Sequence, residues 1–97
     1  MMTRMTTSEK DVERALRLMV ERHGGVCLKW VCPSFAGVPD RIVLMPGGRI
    51  IFVEVKRPKG GKVGKLQEWW AERLTTLGFE HYFIWNKEDV ERLEKAL

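Results

Sequence analysis

Asp40, Glu54 and Lys56 are the residues of this sequence whose types and spacing could do chemistry. They sit at the two ends of GVPDRIVLMPGGRIIFVEVK, residues 37–56. This stretch reads as a β-hairpin: an apolar run, a Pro-Gly-Gly turn and a second apolar run. A turn centred on Gly47 pairs Asp40 with Glu54 on one face, with Cβ atoms about 5 Å apart. Lys56 lies two residues beyond Glu54 and shares that face. Two carboxylates so close to an apolar core repel each other and lose hydration. A divalent cation between them relieves both costs, and oxygen ligands favour Mg²⁺ or Mn²⁺ over zinc or copper. A lysine beside such an ion can hold a water nucleophile or neutralise charge developing on a phosphate. Metal-assisted phosphodiester hydrolysis is the reaction this set suits. The plainer alternative is a surface ion pair of Glu54 with Lys56, with Asp40 a simple turn residue after Pro39.

The elements that must position these groups follow from periodicity. Ser8, with Asp11 three residues on, starts a helix whose apolar stripe is Val12, Ala15, Leu16, Met19 and Val20. Gly24-Gly25 ends it. VCLKWVC, residues 26–32, reads as a strand, PSFAGVP as a loop, and 41–45 and 49–55 as the hairpin strands. Both hairpin faces are apolar, which predicts a sheet covered on both sides. RPKGGKVG, residues 57–64, is a basic glycine-rich loop. Leu66, Trp69, Trp70, Leu74 and Leu77 mark a second helix, FEHYFIW (79–85) a fourth strand, and 87–96 a closing amphipathic helix. The order α-β-β-β-α-β-α predicts an α/β fold, a small mixed sheet flanked by helices, with the fourth strand parallel to an earlier one.

Composition narrows the function classes. Ninety-seven residues make one domain, 1–97, with 1–7 a frayed leader. Seventeen basic against 13 acidic residues, net +4, point to a polyanionic partner. Cys27 and Cys32 read as two buried free thiols, and with two lone histidines no zinc set is present. The start has no apolar signal region and no run approaches a membrane span, which predicts an intracellular, cytoplasmic protein with no membrane partner. GGKVGK departs from a P-loop in spacing and has Leu66 in place of Ser or Thr, so no nucleotide cofactor is expected.

Pro39-Asp40 followed by Glu54-Val55-Lys56 across a hairpin resembles the PD-(D/E)xK nuclease superfamily. Gly37-Val38-Pro39-Asp40-Arg41, the hairpin, the Glu-Val-Lys, a basic loop and a helix carrying Gln67 look like a VRR-NUC domain, over roughly residues 8–85. That resemblance implies a restriction-endonuclease-like core. It implies Asp40, Glu54 and the Val55 carbonyl as ligands of Mg²⁺ or Mn²⁺, and Lys56 as the group that orients or activates the attacking water. It adds a glutamate from the first helix, Glu13, with Glu9 as the rival, and Gln67 close to the lysine. Lys29 and Ser34 would touch the scissile phosphate or its neighbours. Stand-alone domains of this size occur in phages and bacteria and form homodimers.

Arg57, Lys59, Lys62 and Lys65 follow Lys56 with no acid until Glu68, and beside such a site they form a backbone-positioning patch. Contacts of that kind carry no sequence information, so recognition by DNA shape is expected. Trp30 and Trp85 are expected in the core; Trp69 and Trp70 pack in the core or in a dimer. The expected function is a Mg²⁺/Mn²⁺-dependent endonuclease on branched DNA, a Holliday junction by preference. A flap, fork or single-strand nuclease of the same fold, and a non-catalytic DNA-binding protein, stay open beside it.

Overall fold

The computed structural model describes residues 7–97. The leader expected over 1–7 lies outside the described residues, Thr7 apart. The elements are α1 (Glu9–Arg22), β1 (Val26–Lys29), β2 (Arg41–Met45), β3 (Arg49–Val55), α2 (Lys65–Thr76), β4 (Glu80–Ile84) and α3 (Lys87–Ala96). The order is the expected one.

Helix α1 starts where its cap chemistry puts it. Ser8 Oγ accepts from the Asp11 N–H at 3.1 Å, and Asp11 Oδ2 accepts from the Ser8 N–H at 2.9 Å. Val12, Leu16, Met19 and Val20 form its buried stripe. This stripe packs on Val43, Ile51, Val53 and Val55 of the sheet, and Val90 and Leu93 of α3 close the same core. Burying such side chains contributes roughly 1.5–3 kcal/mol each, which is what holds a domain of this size together.

The sheet order is β1-β2-β3-β4. β1–β2 and β2–β3 pair antiparallel, and β3–β4 pair parallel through the α2 crossover. Arg41 pairs with Val53 and Met45 with Arg49, the register expected from a turn centred on Gly47. The turn is a short 3-10 segment in which Gly47 and Gly48 take φ of 83° and 80°, a conformation that favours glycine. Arg49 grips Glu80 through two hydrogen bonds of 2.7 Å, tying the hairpin tip to β4.

Four expectations need correction. β1 stops at Lys29 rather than residue 32: the Trp30 N–H makes a last bond to the Asp40 carbonyl at 2.8 Å, and the chain then turns away toward Pro33, which has no donor to pair. Cys27 and Cys32 are free but only half-buried. The sheet is covered on both faces only in part. The α1 side is sealed, but α2 lies over the β4 side of the other face, leaving a row across three strands, Val26, Leu44 and Ile50, 37–51% exposed. Trp30 and Trp85 are half-buried against Phe52 and Phe83 rather than enclosed.

Candidate active site

Site geometry starts at the open end of the hairpin, one residue past the β2–β3 ladder. There Asp40 and Glu54 exchange bonds with each other's backbone. The Asp40 N–H donates to Glu54 Oε1 at 3.2 Å, and the Val55 N–H donates to Asp40 Oδ1 at 3.2 Å. Loop 33–39 delivers Asp40, and Gly37 lets that loop lie on α2. A Cβ at Gly37 would fall 2.5 Å from Leu66 Cβ, and its φ is +86°.

Glu54 is the buried charged residue of the core, 6% exposed. Burial first, and the Asp40 charge second, push its carboxyl up to about 7; Lys56 pulls the other way. Burial also raises Asp40 above the ordinary carboxylate range, against the Val55 N–H. Two carboxyls held near each other and both made reluctant to ionise are the electrostatic signature expected of a cation site.

Gln67 locks the cluster. Its Oε1 accepts from Lys56 Nζ at 2.6 Å and from the Gly64 N–H at 2.8 Å, and its Nε2 donates to Glu54 Oε2 at 2.8 Å. The two donors at one end and the carboxylate at the other fix the amide orientation. One side chain thus caps the α2 start, aims the lysine and holds the glutamate. Lys56 Nζ lies 3.5 Å from Glu54 Oε2. Replacing Gln67 by alanine removes all three bonds. The expected cost is about 1–3 kcal/mol by urea denaturation, because Glu54 loses a donor in a buried position. Unchanged stability would mean that the three bonds do not form in solution.

Helix α1 contributes two acids. Glu9, Glu13 and Asp40 can each bring a carboxylate oxygen within 4.8 Å of the others. Glu54 is outside that group, so Asp40 stands between Glu54 on one side and the α1 glutamates on the other. Glu13 also pairs with Arg41 at 3.0 Å. Both α1 glutamates reach Asp40; the geometry does not select Glu13 over Glu9.

Sequence reading brought Asp40, Glu54, Lys56 and Gln67 together, and the structure joins them. Lys29 and Ser34 are exposed and, among the described residues, make no hydrogen bond to this cluster. Arg57, Lys59, Lys62 and Lys65 are exposed on and beside the loop leading to α2. Trp69 is 55% exposed, so it is no core residue, whereas Trp70 is half-buried and donates to the Ala36 carbonyl at 3.1 Å. Arg41 was missed as a functional partner. It follows Asp40 directly, but its ion pair needs α1 to lie over β2, which spacing alone does not reveal.

A mixed four-stranded sheet with an aspartate, a glutamate and a lysine converging at one hairpin end defines a nuclease domain. The chain belongs to the VRR-NUC domain family, whose model matches residues 4–84. It is 43% identical over 89 residues to "Putative nuclease p44" of Acyrthosiphon pisum secondary endosymbiont phage 1, covering 92% of this chain and 94% of that one. A solved structure described as a VRR_NUC domain superposes with a TM-score of 0.84 at 28% identity, over 94% of this chain and 97% of that one. Among the described residues, no helix is long and apolar enough to cross a membrane.

Proposed function

We propose that this nuclease is a Mg²⁺- or Mn²⁺-dependent endonuclease of branched DNA, with a four-way junction as its preferred substrate, acting as a homodimer in the cytoplasm. The observation that carries the reading is the meeting of Asp40, Glu54 and Lys56 under the Gln67 clamp. Asp40, Glu54, the Val55 carbonyl and an α1 glutamate, Glu13 or Glu9, would hold the cation. All are hard oxygen donors, and the raised carboxyls fit a group that replaces protons there. When bound, the cation would supply Lewis-acid stabilisation of negative charge on the phosphate.

The protein's own side chains do the rest. Gln67 Oε1 directs Lys56 Nζ to the edge of the carboxylate pair, where it can orient the attacking water and offset negative charge. Arg57, Lys59, Lys62 and Lys65 would hold the backbone through phosphate contacts. The homodimer is supported by the bare half of the sheet. Val26, Leu28, Leu44, Ile50 and Phe79 expose an apolar surface, and α2 turns Leu66, Trp69 and Leu77 outward beside it. Covering such surface with a second copy offsets the thin core of a chain this short.

Cleavage of labelled four-way junction, 5′-flap, duplex and single-stranded DNA in Mg²⁺, Mn²⁺ or EDTA tests the proposal. Paired symmetric nicks on the junction, abolished by EDTA, are the expected result. Cuts confined to a flap or a single strand would overturn the substrate and leave the chemistry. Junction binding with no cleavage in either metal would overturn the enzyme.

A further inference from the structure

Outside the carboxylate cluster, a cleft of about 420 Å³ runs between α1 and the β1–β2 edge of the sheet. It is lined by Lys10, Asp11, Glu13, Arg14, Arg17, Cys27 and Arg41. Four of these side chains are cationic and two anionic. Arg41 is engaged by Glu13 inside the cleft, and Asp11 is turned to the Ser8 cap. Lys10 and Arg14 have no ion-pair partner among the described residues. Arg17 meets Glu21 at 3.4 Å with both side chains about half exposed, a contact of small energetic weight.

We propose that this cleft is a second seat for the DNA backbone, on the side of the catalytic carboxylates opposite the 57–65 loop. The inference deepens the nuclease reading and rests on it. Position is the first argument. Glu13 lines the cleft and also reaches Asp40, and Arg41 of the lining follows Asp40 in the chain, so the cleft adjoins the carboxylate site. Shape and spacing are the second. Lys10, Arg14 and Arg17 follow i, i+4, i+7 and so share one face of α1. At 1.5 Å rise per residue they span about 10 Å, the axial rise of roughly three base pairs of duplex. Three aligned cations on a concave wall suit a run of phosphates better than isolated anions. Lys29, on the same sheet face as Cys27 and paired with Arg41, extends the positive edge past the cleft.

Charge is the third argument. Burial pushes the Cys27 thiol up, so it stays uncharged on the cleft floor and adds nothing to repel a phosphate. With the 57–65 loop on one side and the α1 cations on the other, a strand crossing the carboxylates is gripped both before and after the scissile phosphate. One loop alone would anchor the backbone on a single side and leave the scissile phosphate free to swing.

The test is junction binding in EDTA by fluorescence anisotropy across a salt series, on the full chain. The cleft variant is Lys10→Gln/Arg14→Gln/Arg17→Gln, in which glutamine keeps the helix propensity of exposed positions. The expected result is weaker binding and a log Kd against log salt slope shallower by about 2–3. Arg92→Gln/Lys95→Gln on α3 is the control for loss of bulk charge and is expected to change the slope by less than 1. A second readout uses a Cys32→Ser chain: saturating DNA is expected to slow alkylation of Cys27 several-fold. Equal slopes for wild type and cleft variant, or Cys27 alkylated at the same rate with and without DNA, overturn the cleft alone, provided wild type binds and cleaves. Failure of the wild-type chain to bind any DNA overturns the nuclease reading and the cleft with it.

Discussion

Lys56→Ala is expected to lower junction cleavage by about 10³-fold while junction affinity in Ca²⁺ changes little. The size follows from what the ammonium does. Among the described residues it is the one cation in hydrogen-bond contact with Gln67 and within 3.5 Å of Glu54, and its side chain is 12% exposed. Few bulk waters can therefore substitute for it. Binding is expected to survive because, in the proposed complex, the exposed cations of the 57–65 loop and not this half-buried one would hold the DNA backbone. Folding also survives, because Gln67 keeps its bonds to Gly64 and Glu54. Lys56→Arg is not expected to rescue. The planar guanidinium is larger and spreads its charge, and Gln67 Oε1, already accepting from the Gly64 N–H, receives a compact ammonium at 2.6 Å beside it. Single-turnover cleavage beside anisotropy checks the split. A variant that cleaves within tenfold of wild type would remove Lys56 from the chemistry. A variant that loses both cleavage and binding would make it an anchoring residue.

Much of this site was written in the hairpin. Both faces of these strands are apolar, so the short Pro46-Gly47-Gly48 turn rather than side-chain alternation sets the register, and that register brings Asp40, Glu54 and Lys56 to one end. The covering of the sheet was not legible. Ile50 and Phe52 look alike in sequence, but Phe52 packs against Trp30 and Phe79 while Ile50 is 37% exposed. Both sit on β3, and the difference is which stretch of that strand the Trp30 and Phe79 rings cover. Helix α2 misled for a related reason. Leu66, Trp69 and Leu77 form one stripe and Trp70 with Leu74 another, and only the second faces inward. The i, i+4, i+7 spacing of Lys10, Arg14 and Arg17 marks nothing on its own, because their neighbours on β1 and β2 come from the fold, not from local sequence. The Glu13–Arg41 pair is of the same kind: two residues 28 positions apart that meet only once α1 lies on the sheet.

Metal-free protein is expected to lose stability as pH rises from about 5 to about 7.5, and Glu54→Gln should abolish most of that loss. Glu54 is raised from an ordinary 4.5 to about 7 in the folded chain. Between those values the folded state binds more protons than the unfolded state, so stability falls with rising pH and levels off above the folded pKa. A shift of that size corresponds to roughly 3 kcal/mol. Asp40 is raised too and adds in the same direction. His81 opposes them: burial lowers its pKa, the unfolded state binds the extra proton, and its contribution rises with pH through the same window. Wild-type data alone therefore understate the carboxylate effect, and the difference between wild type and Glu54→Gln isolates it. The variant is expected to sit at a lower plateau, because an amide at position 54 cannot accept from both the Asp40 N–H and Gln67 Nε2. Its slope is then set by His81 and Asp40. Adding Mg²⁺ or Mn²⁺ should raise the wild-type midpoint much more at pH 8 than at pH 5, since the cation takes the place of the proton. Urea midpoints at both pH values, with and without the ion, measure all of this. Parallel curves for wild type and Glu54→Gln would mean that Glu54 ionises as an ordinary carboxylate. A midpoint unmoved by either ion at pH 8 would mean that the two carboxyls are strained for something other than a cation.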